Sequence, residues 1–276
     1  MLKKLLNIAG AALLALGVGV ATPADAQDST WEMIQSNGVL RVGAAPAPPW
    51  FIQRPDGTWG GFGISLGSAA AEALGVEMEV VEVTWGNAVA ALQAGQIDMM
   101  PVLDPTPQRA AAVAFPATPL LYFSLGVLLR DGAELDNWAD LSAGEFRLGL
   151  VQGTSIDQFI SSTYPDANVQ TFPSRQELVA AFQSGRVDGI SLYHPALVNM
   201  SQSMGTGTVV LPEPYRVSIS SVALRQESDQ RFRNFLDSSI AFWYANQSVQ
   251  GWFNEALIEQ GVDPAMSPPV QRELLD

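Results

Sequence analysis

The chain contains no cysteine. That excludes disulfides and thiolate chemistry, and leaves stability to core packing alone. It also excludes a lipid anchor, which exported proteins carry on a cysteine directly after the signal. Histidine occurs once, as His194, so histidine-cluster metal sites are excluded. Lysine is confined to Lys3 and Lys4, so no phosphate-binding loop ends in one. Beyond the N-terminus no apolar run is long enough to span a bilayer. Positive charge is scarce: 14 basic residues face 28 acidic ones. Such a balance argues against nucleic acid and anionic membrane surfaces as partners.

The N-terminus has the composition of a secretory signal. Lys3 and Lys4 precede an apolar run from Leu5 to Val20, and Ala24-Asp25-Ala26 supplies a small-x-small cleavage pattern. Cleavage after Ala26 is expected, giving a soluble periplasmic protein. It would remove Lys3, Lys4 and Asp25, leaving 12 arginines against 27 acidic residues, a net charge of −15.

The remaining chain contains an internal echo. Leu40-Arg41-Val42-Gly43 is matched by Phe146-Arg147-Leu148-Gly149, and Ala90 to Asp98 by Ala180 to Asp188. Each copy reads as a strand, a helix closed by Gly95 or Gly185 in a left-handed C-terminal position, and Ile/Val-Asp entering another strand. Two such units predict two α/β lobes with parallel strands. Further helices are expected over Ile64–Leu74, Trp85–Leu92, Ser174–Phe182, Phe232–Tyr244 and Val249–Ile258, and strands over Met78–Val83 and Leu148–Val151.

Ligands of open α/β sheets bind beyond the carboxyl ends of the strands. The segments there supply the candidate site. The proline-rich stretch Gly43 to Phe51 presents Trp50, and Trp85 is expected at a helix start; either ring could cover a ligand or simply fill the core. In Asp104-Pro105-Thr106-Pro107-Gln108-Arg109, Thr106 reads as a helix cap with Pro107 behind it. Arg109 then sits in the first turn, where a guanidinium fork beside free N–H groups can clamp a carboxylate, though an isolated arginine is more often a surface residue. Gln152-Gly153-Thr154-Ser155 follows another strand, and the Thr154 and Ser155 N–H groups are expected to face an anion. No metal or nucleophile constellation appears, and no cofactor is expected.

In their order and spacing these pieces resemble the polar-amino-acid family of periplasmic solute-binding proteins, family 3. The matching segments are Gly38 to Gly43, Gly60-Gly61-Phe62, Leu92 to Asp98, Thr106 to Arg109 with Val113-Ala114-Phe115, Val151 to Thr154, and Gly185 to Asp188. The resemblance implies a type II Venus-flytrap fold with two hinge strands, near Phe123–Leu128 and Ser218–Leu224. It places one lobe in residues 27–123 and 220–276 and the other in 124–219. It implies a monomer that binds a small polar solute, an amino acid or a close relative, and delivers it to an ABC permease in the inner membrane. Arg109 would grip the ligand carboxylate with Thr154 and Ser155, and Trp85 would pack on the ligand.

Three positions depart from the family pattern. Asp104 stands where Ser or Thr is usual, Tyr193 where an acidic residue meets the ligand ammonium, and Gly63 where an acidic residue follows Gly-Phe. Asp104 is therefore read either as the replacement partner of a ligand cation or as a partner of Arg109 that only holds the loop. His194 is expected to be structural. Other readings are a cyclohexadienyl or arogenate dehydratase on the same fold, with Asp104 as general acid, and a soluble sensor subunit.

Overall fold

The computed structural model describes residues 28–272; the expected signal segment and its cleavage point lie outside the described residues. Eleven strands are present among them: β1 (Val39–Ala44), β2 (Ile52–Gln53), β3 (Trp59–Gly60), β4 (Glu77–Glu82), β5 (Met99–Leu103), β6 (Leu121–Leu129), β7 (Leu148–Val151), β8 (Val169–Phe172), β9 (Gly189–Tyr193), β10 (Thr208–Val210) and β11 (Val217–Leu224). The helices are α1 (Thr30–Asn37), α2 (Phe62–Leu74), α3 (Ala88–Gln93), α4 (Pro107–Ala110), α5 (Ser155–Thr163), α6 (Arg175–Gln183), α7 (His194–Met204), α8 (Arg231–Ala245) and α9 (Ser248–Glu259).

One continuous sheet runs β4–β1–β5–β11–β6–β9–β7–β8, with β10 also paired to β6. It contains the same path twice: β4–β1–β5–β11–β6 and β8–β7–β9–β6–β10. In each half the first strand is parallel to its two neighbours, and the crossing strand is antiparallel. The crossing strands change partners midway. β6 pairs with β11 over Leu121–Ser124 and with β9 over Leu125–Leu129. β11 pairs with β6 over Val217–Ser220 and with β5 over Ser221–Leu224. Buried apolar residues separate into two cores accordingly, one running from Ile34 to Phe123 and from Val222 to Val270, the other from Leu125 to Met200. Trp85 and Tyr193 are the half-buried residues that pack against both cores.

The echo in the sequence has a physical cause. In the first half Arg41 Nε and Nη2 bond the two oxygens of Asp98 at 3.1 and 2.6 Å, and its backbone N–H bonds the same carboxylate at 2.8 Å. In the second half Arg147 makes the same three bonds to Asp188. Each aspartate N–H returns a bond of 2.8 Å to the carbonyl of its arginine. The bidentate clamp thus joins the start of the first strand to the start of the third. Gly95 and Gly185, at φ 65° and 76°, reverse the chain just before each aspartate.

Local chemistry explains most helix ends. Thr106, Thr154 and Ser174 cap α4, α5 and α6 with their hydroxyls. One expectation is corrected: Trp85 does not begin a helix. Thr84 and Asn87 exchange side chain-to-backbone bonds of 2.8 and 3.2 Å, forming a turn that carries Trp85, and α3 starts only at Ala88. Replacing Asp98, 2% exposed, by Asn is expected to cost about 3 kcal/mol, because one partner of a buried pair is neutralised. The same change at Asp188, 25% exposed, is expected to cost less. Urea unfolding of the two variants checks the order, and equal losses would contradict it.

Candidate functional site

The carboxyl ends of β5, β7 and β9 meet between the halves, and the segments beyond them enclose a cavity of about 50 Å³. Trp50, Trp85, Asp104, Arg109, Thr154, Ser155 and Tyr193 all line it. The structure therefore brings every residue of the sequence-based candidate set to one place. Val102, Val151, Ile156, Leu192 and Arg175 complete the wall.

Arg109 is 5% exposed, held by the short α4 whose cap, Thr106, accepts its N–H at 3.2 Å. Its Nη1 donates to the Asp104 backbone carbonyl at 3.2 Å. Its Nη2 reaches across to the Gly153 carbonyl at 3.1 Å. The side-chain pair between Asp104 and Arg109, one of the two readings of Asp104, is not formed: among the described residues no carboxylate lies within ion-pair distance of Arg109. The Asp104 carboxyl turns instead to the other half. Its Oδ2 accepts from Tyr193 at 2.6 Å and from the Ser155 hydroxyl, and the two hydroxyls lie 2.9 Å apart.

The α5 terminus also differs in detail from expectation. The Thr154 N–H turns back to the Val151 carbonyl at 3.4 Å and does not face the cavity. The Thr154 hydroxyl caps Asp157, whose carboxylate bonds the Gly153 N–H at 2.9 Å. Trp50 is 4% exposed; it stacks on Phe253 at 5.7 Å and packs beside Phe123 at 5.4 Å, so it belongs to the core and shows the cavity one part of its surface. Trp85 is half-buried, 6.0 Å from Phe51. Gly63 has a packing cause: a Cβ there would lie 2.3 Å from the Phe51 ring, so Phe51 occupies the space an acidic side chain would need. His194 begins α7 and does not line the cavity.

Two further features escaped the sequence reading. Val102 has φ 59°, a left-handed conformation that strains a β-branched residue by about 1–3 kcal/mol. This lies where β5 and β11 shift register, between Ser221 and Val222, and just before the chain delivers Asp104. Arg175 enters from the first turn of α6, and its Nη1 donates across to the Pro48 carbonyl. Pro173-Ser174-Arg175 follows β8 directly, as the other candidates follow their strands.

Burial dominates the electrostatics. Desolvation raises the Asp104 carboxyl above the ordinary range, against the opposing pull of Ser155, Tyr193 and the Arg109 charge. Desolvation also raises Tyr193 well above its ordinary value, with the Asp104 charge adding to it, so the phenol remains a donor. Arg109 is lowered by burial, with Asp104 opposing, yet a guanidinium stays charged. Burial lowers His194.

With two cores, two crossing strands and between them a cleft of apolar walls holding Asp104, Arg109 and Arg175, the molecule is a two-lobed binding-protein fold. Residues 40–259 match the family described as bacterial extracellular solute-binding proteins, family 3, and the chain belongs to that family. The L-cystine-binding protein TcyJ of Escherichia coli (strain K12) is 23% identical over 233 residues, covering 83% of this chain and 86% of that protein. An L-arginine-binding protein of Pseudomonas aeruginosa is 28% identical over 160 residues, 55% of this chain and 59% of that one. In fold, the crystal structure of a cysteine-binding protein from Campylobacter jejuni superposes with a TM-score of 0.77 at 24% identity, over 87% of this chain and 97% of that chain.

The raised Asp104 gives a pH prediction. In the folded protein this carboxyl holds its proton more tightly than the unfolded value of about 3.9. Its contribution to stability is therefore present below that value and is lost as pH rises through the folded value. His194 acts with the opposite sign, since its depressed value favours the folded state as pH rises. Comparing Asp104→Asn with the parent isolates the first effect. Between about pH 4 and 8, the parent's melting temperature is expected to fall relative to the variant's. Parallel curves would contradict it.

Proposed function

We propose that the cleft binds an α-amino acid for uptake through an ABC permease, and that the protein works in the periplasm as a monomer. The observation that carries this reading is the buried Arg109 guanidinium, which lines the cavity with no carboxylate within ion-pair distance among the described residues. A ligand carboxylate would supply the missing counter-charge in a bidentate pair, with the N-terminus of α5 and the Ser155 hydroxyl beside it. Asp104 is the one carboxylate among the described residues that line the cavity and would receive the ligand ammonium; Trp85 would cover the ligand. The relatives named for cystine and arginine support the amino-acid class.

The dimensions of the cleft support a capture cycle. A cavity of about 50 Å³ has room for about four waters. An amino acid therefore enters with the lobes apart, and contacts to both lobes then favour closure. The lobes already touch at glycine: a Cβ on Gly153 would lie 2.7 Å from the Gly86 Cα. A larger residue at Gly153 would hold the lobes apart.

Acid–base catalysis is the weaker reading. Its support is the raised Asp104 carboxyl. The other titratable groups on the cavity wall are Arg109, Arg175 and Tyr193, none of which is a base near neutral pH. No aromatic product is expected from prephenate or arogenate, and its formation would reverse the assignment.

The carboxylate clamp is tested by two substitutions. Arg109→Ala is expected to weaken amino-acid binding by about 2–5 kcal/mol. Arg109→Lys is expected to lose nearly as much, because lysine lacks the planar fork. Titration calorimetry measures both, using the amino acid that most raises the melting temperature; unchanged affinity in Arg109→Ala would exclude the role.

A further inference from the structure

Arg175 has the environment of a ligand-binding side chain. It lines the cavity opposite Asp104 and Arg109. Its Nε is sealed from solvent without a hydrogen-bond partner, and its one polar contact is the bond from Nη1 to the Pro48 carbonyl. Among the described residues no carboxylate lies within ion-pair distance. Burial lowers its pKa to about 10, which leaves it charged at neutral pH.

Of the arginines outside the cavity, five are ion-paired, and Arg216, whose Nε is also sealed without a hydrogen-bond partner, lies 4.5 Å over the Phe159 ring instead of entering a cavity. Arg41, Arg54, Arg147, Arg225 and Arg231 each pair with a carboxylate. In this acidic chain, with 28 acidic residues to draw on, the cavity nevertheless has two unpaired guanidinium groups facing one carboxyl. Arg175 is half-buried, and a partly desolvated, unpaired guanidinium carries a cost that an arriving counter-charge would relieve. An ammonium-bearing side chain would add a third positive group to that wall; an acidic one would neutralise Arg175.

We propose that Arg175 forms a second anion subsite and that the ligand is an acidic α-amino acid. The inference rests on the amino-acid reading above. The α-carboxylate meets Arg109, the ammonium meets Asp104, and the side-chain acid bridges the lobes through Arg175. Because Arg175 belongs to one lobe and Pro48 to the other, this third contact also couples the acidic group to closure.

Calorimetry with L-glutamate, L-aspartate, L-glutamine, L-arginine, L-cystine and succinate tests it on the full mature chain. The parent is expected to prefer glutamate or aspartate to all the others, with succinate weaker because it lacks the ammonium. Arg175→Gln is expected to lower the affinity for the preferred acid by at least about 30-fold. It should weaken glutamine far less than the acid, so that the acid-to-amide ratio collapses. The ratio of acid to amide separates recognition from a general effect on closure, which would move both together. Arg175→Lys retains the charge and should keep part of the preference. Tighter binding of glutamine, arginine or cystine by the parent, or an unchanged ratio in Arg175→Gln, overturns the inference while leaving the amino-acid reading intact; tighter binding of succinate overturns both. Failure of the parent to bind any of these amino acids overturns both.

Discussion

Everything about the cleft follows from keeping charged groups out of water between two lobes. Arg109 and Asp104 are almost wholly buried, at 5% and 7% exposure. Neither satisfies the other side chain to side chain. Arg109 spends its donors on two backbone carbonyls, one from each lobe, and Asp104 takes hydroxyls from Ser155 and Tyr193 of the opposite lobe. Closure therefore satisfies polar groups that would otherwise be solvated in the open cleft. The closed state is built from exchangeable bonds, since a ligand carboxylate and ammonium offer the same two groups stronger partners than carbonyls and hydroxyls do. On the proposed reading the direct contacts between lobes act as placeholders for the ligand, keeping the free-energy gap between open and closed forms small enough for ligand contacts to shift it.

The frame that holds these groups is a duplicated one. Each half has the same sheet path, and each ties its first strand to its third by an Arg–Asp clamp. The clamps lie at the strand starts, so the opposite, carboxyl ends are free to carry binding groups. At those ends the symmetry is broken. β5 leads through strained Val102 into Asp104 and Arg109, β7 leads into the capped N-terminus of α5, and β9 ends in Tyr193. Strain at Val102 is concentrated where the chain delivers its carboxyl into the cleft.

Much of this was legible in the residues. The echo predicted two α/β units because a Gly at a left-handed helix end and an Asp entering a strand are local requirements that sequence displays directly. Thr106-Pro107 and Gly153-Thr154 announced helix starts for the same reason. The remainder depended on contacts distant in sequence. Whether Asp104 would face Arg109 or the opposite lobe was a choice made by Ser155 and Tyr193, 51 and 89 residues away. Trp50 could be assigned to the core only through Phe123 and Phe253. Gly63 had no rationale until the Phe51 ring was seen against it. Trp85 was misplaced onto a helix because its apolar neighbours outweighed the Thr84–Asn87 turn. Arg175 followed a strand like the other candidates, yet its register gave no sign that its guanidinium enters the cleft.

The central claim is that ligand and interlobe contacts compete for Arg109 and Asp104. A crystal structure of the protein with its tightest-binding amino acid tests it most directly. The account predicts the α-carboxylate on the Arg109 guanidinium and the ammonium on Asp104, with the lobes spread enough that Ser155 and Tyr193 no longer both bond that carboxyl. An amino acid bound with the Asp104–Ser155–Tyr193 set intact and no contact to Arg109 would contradict it.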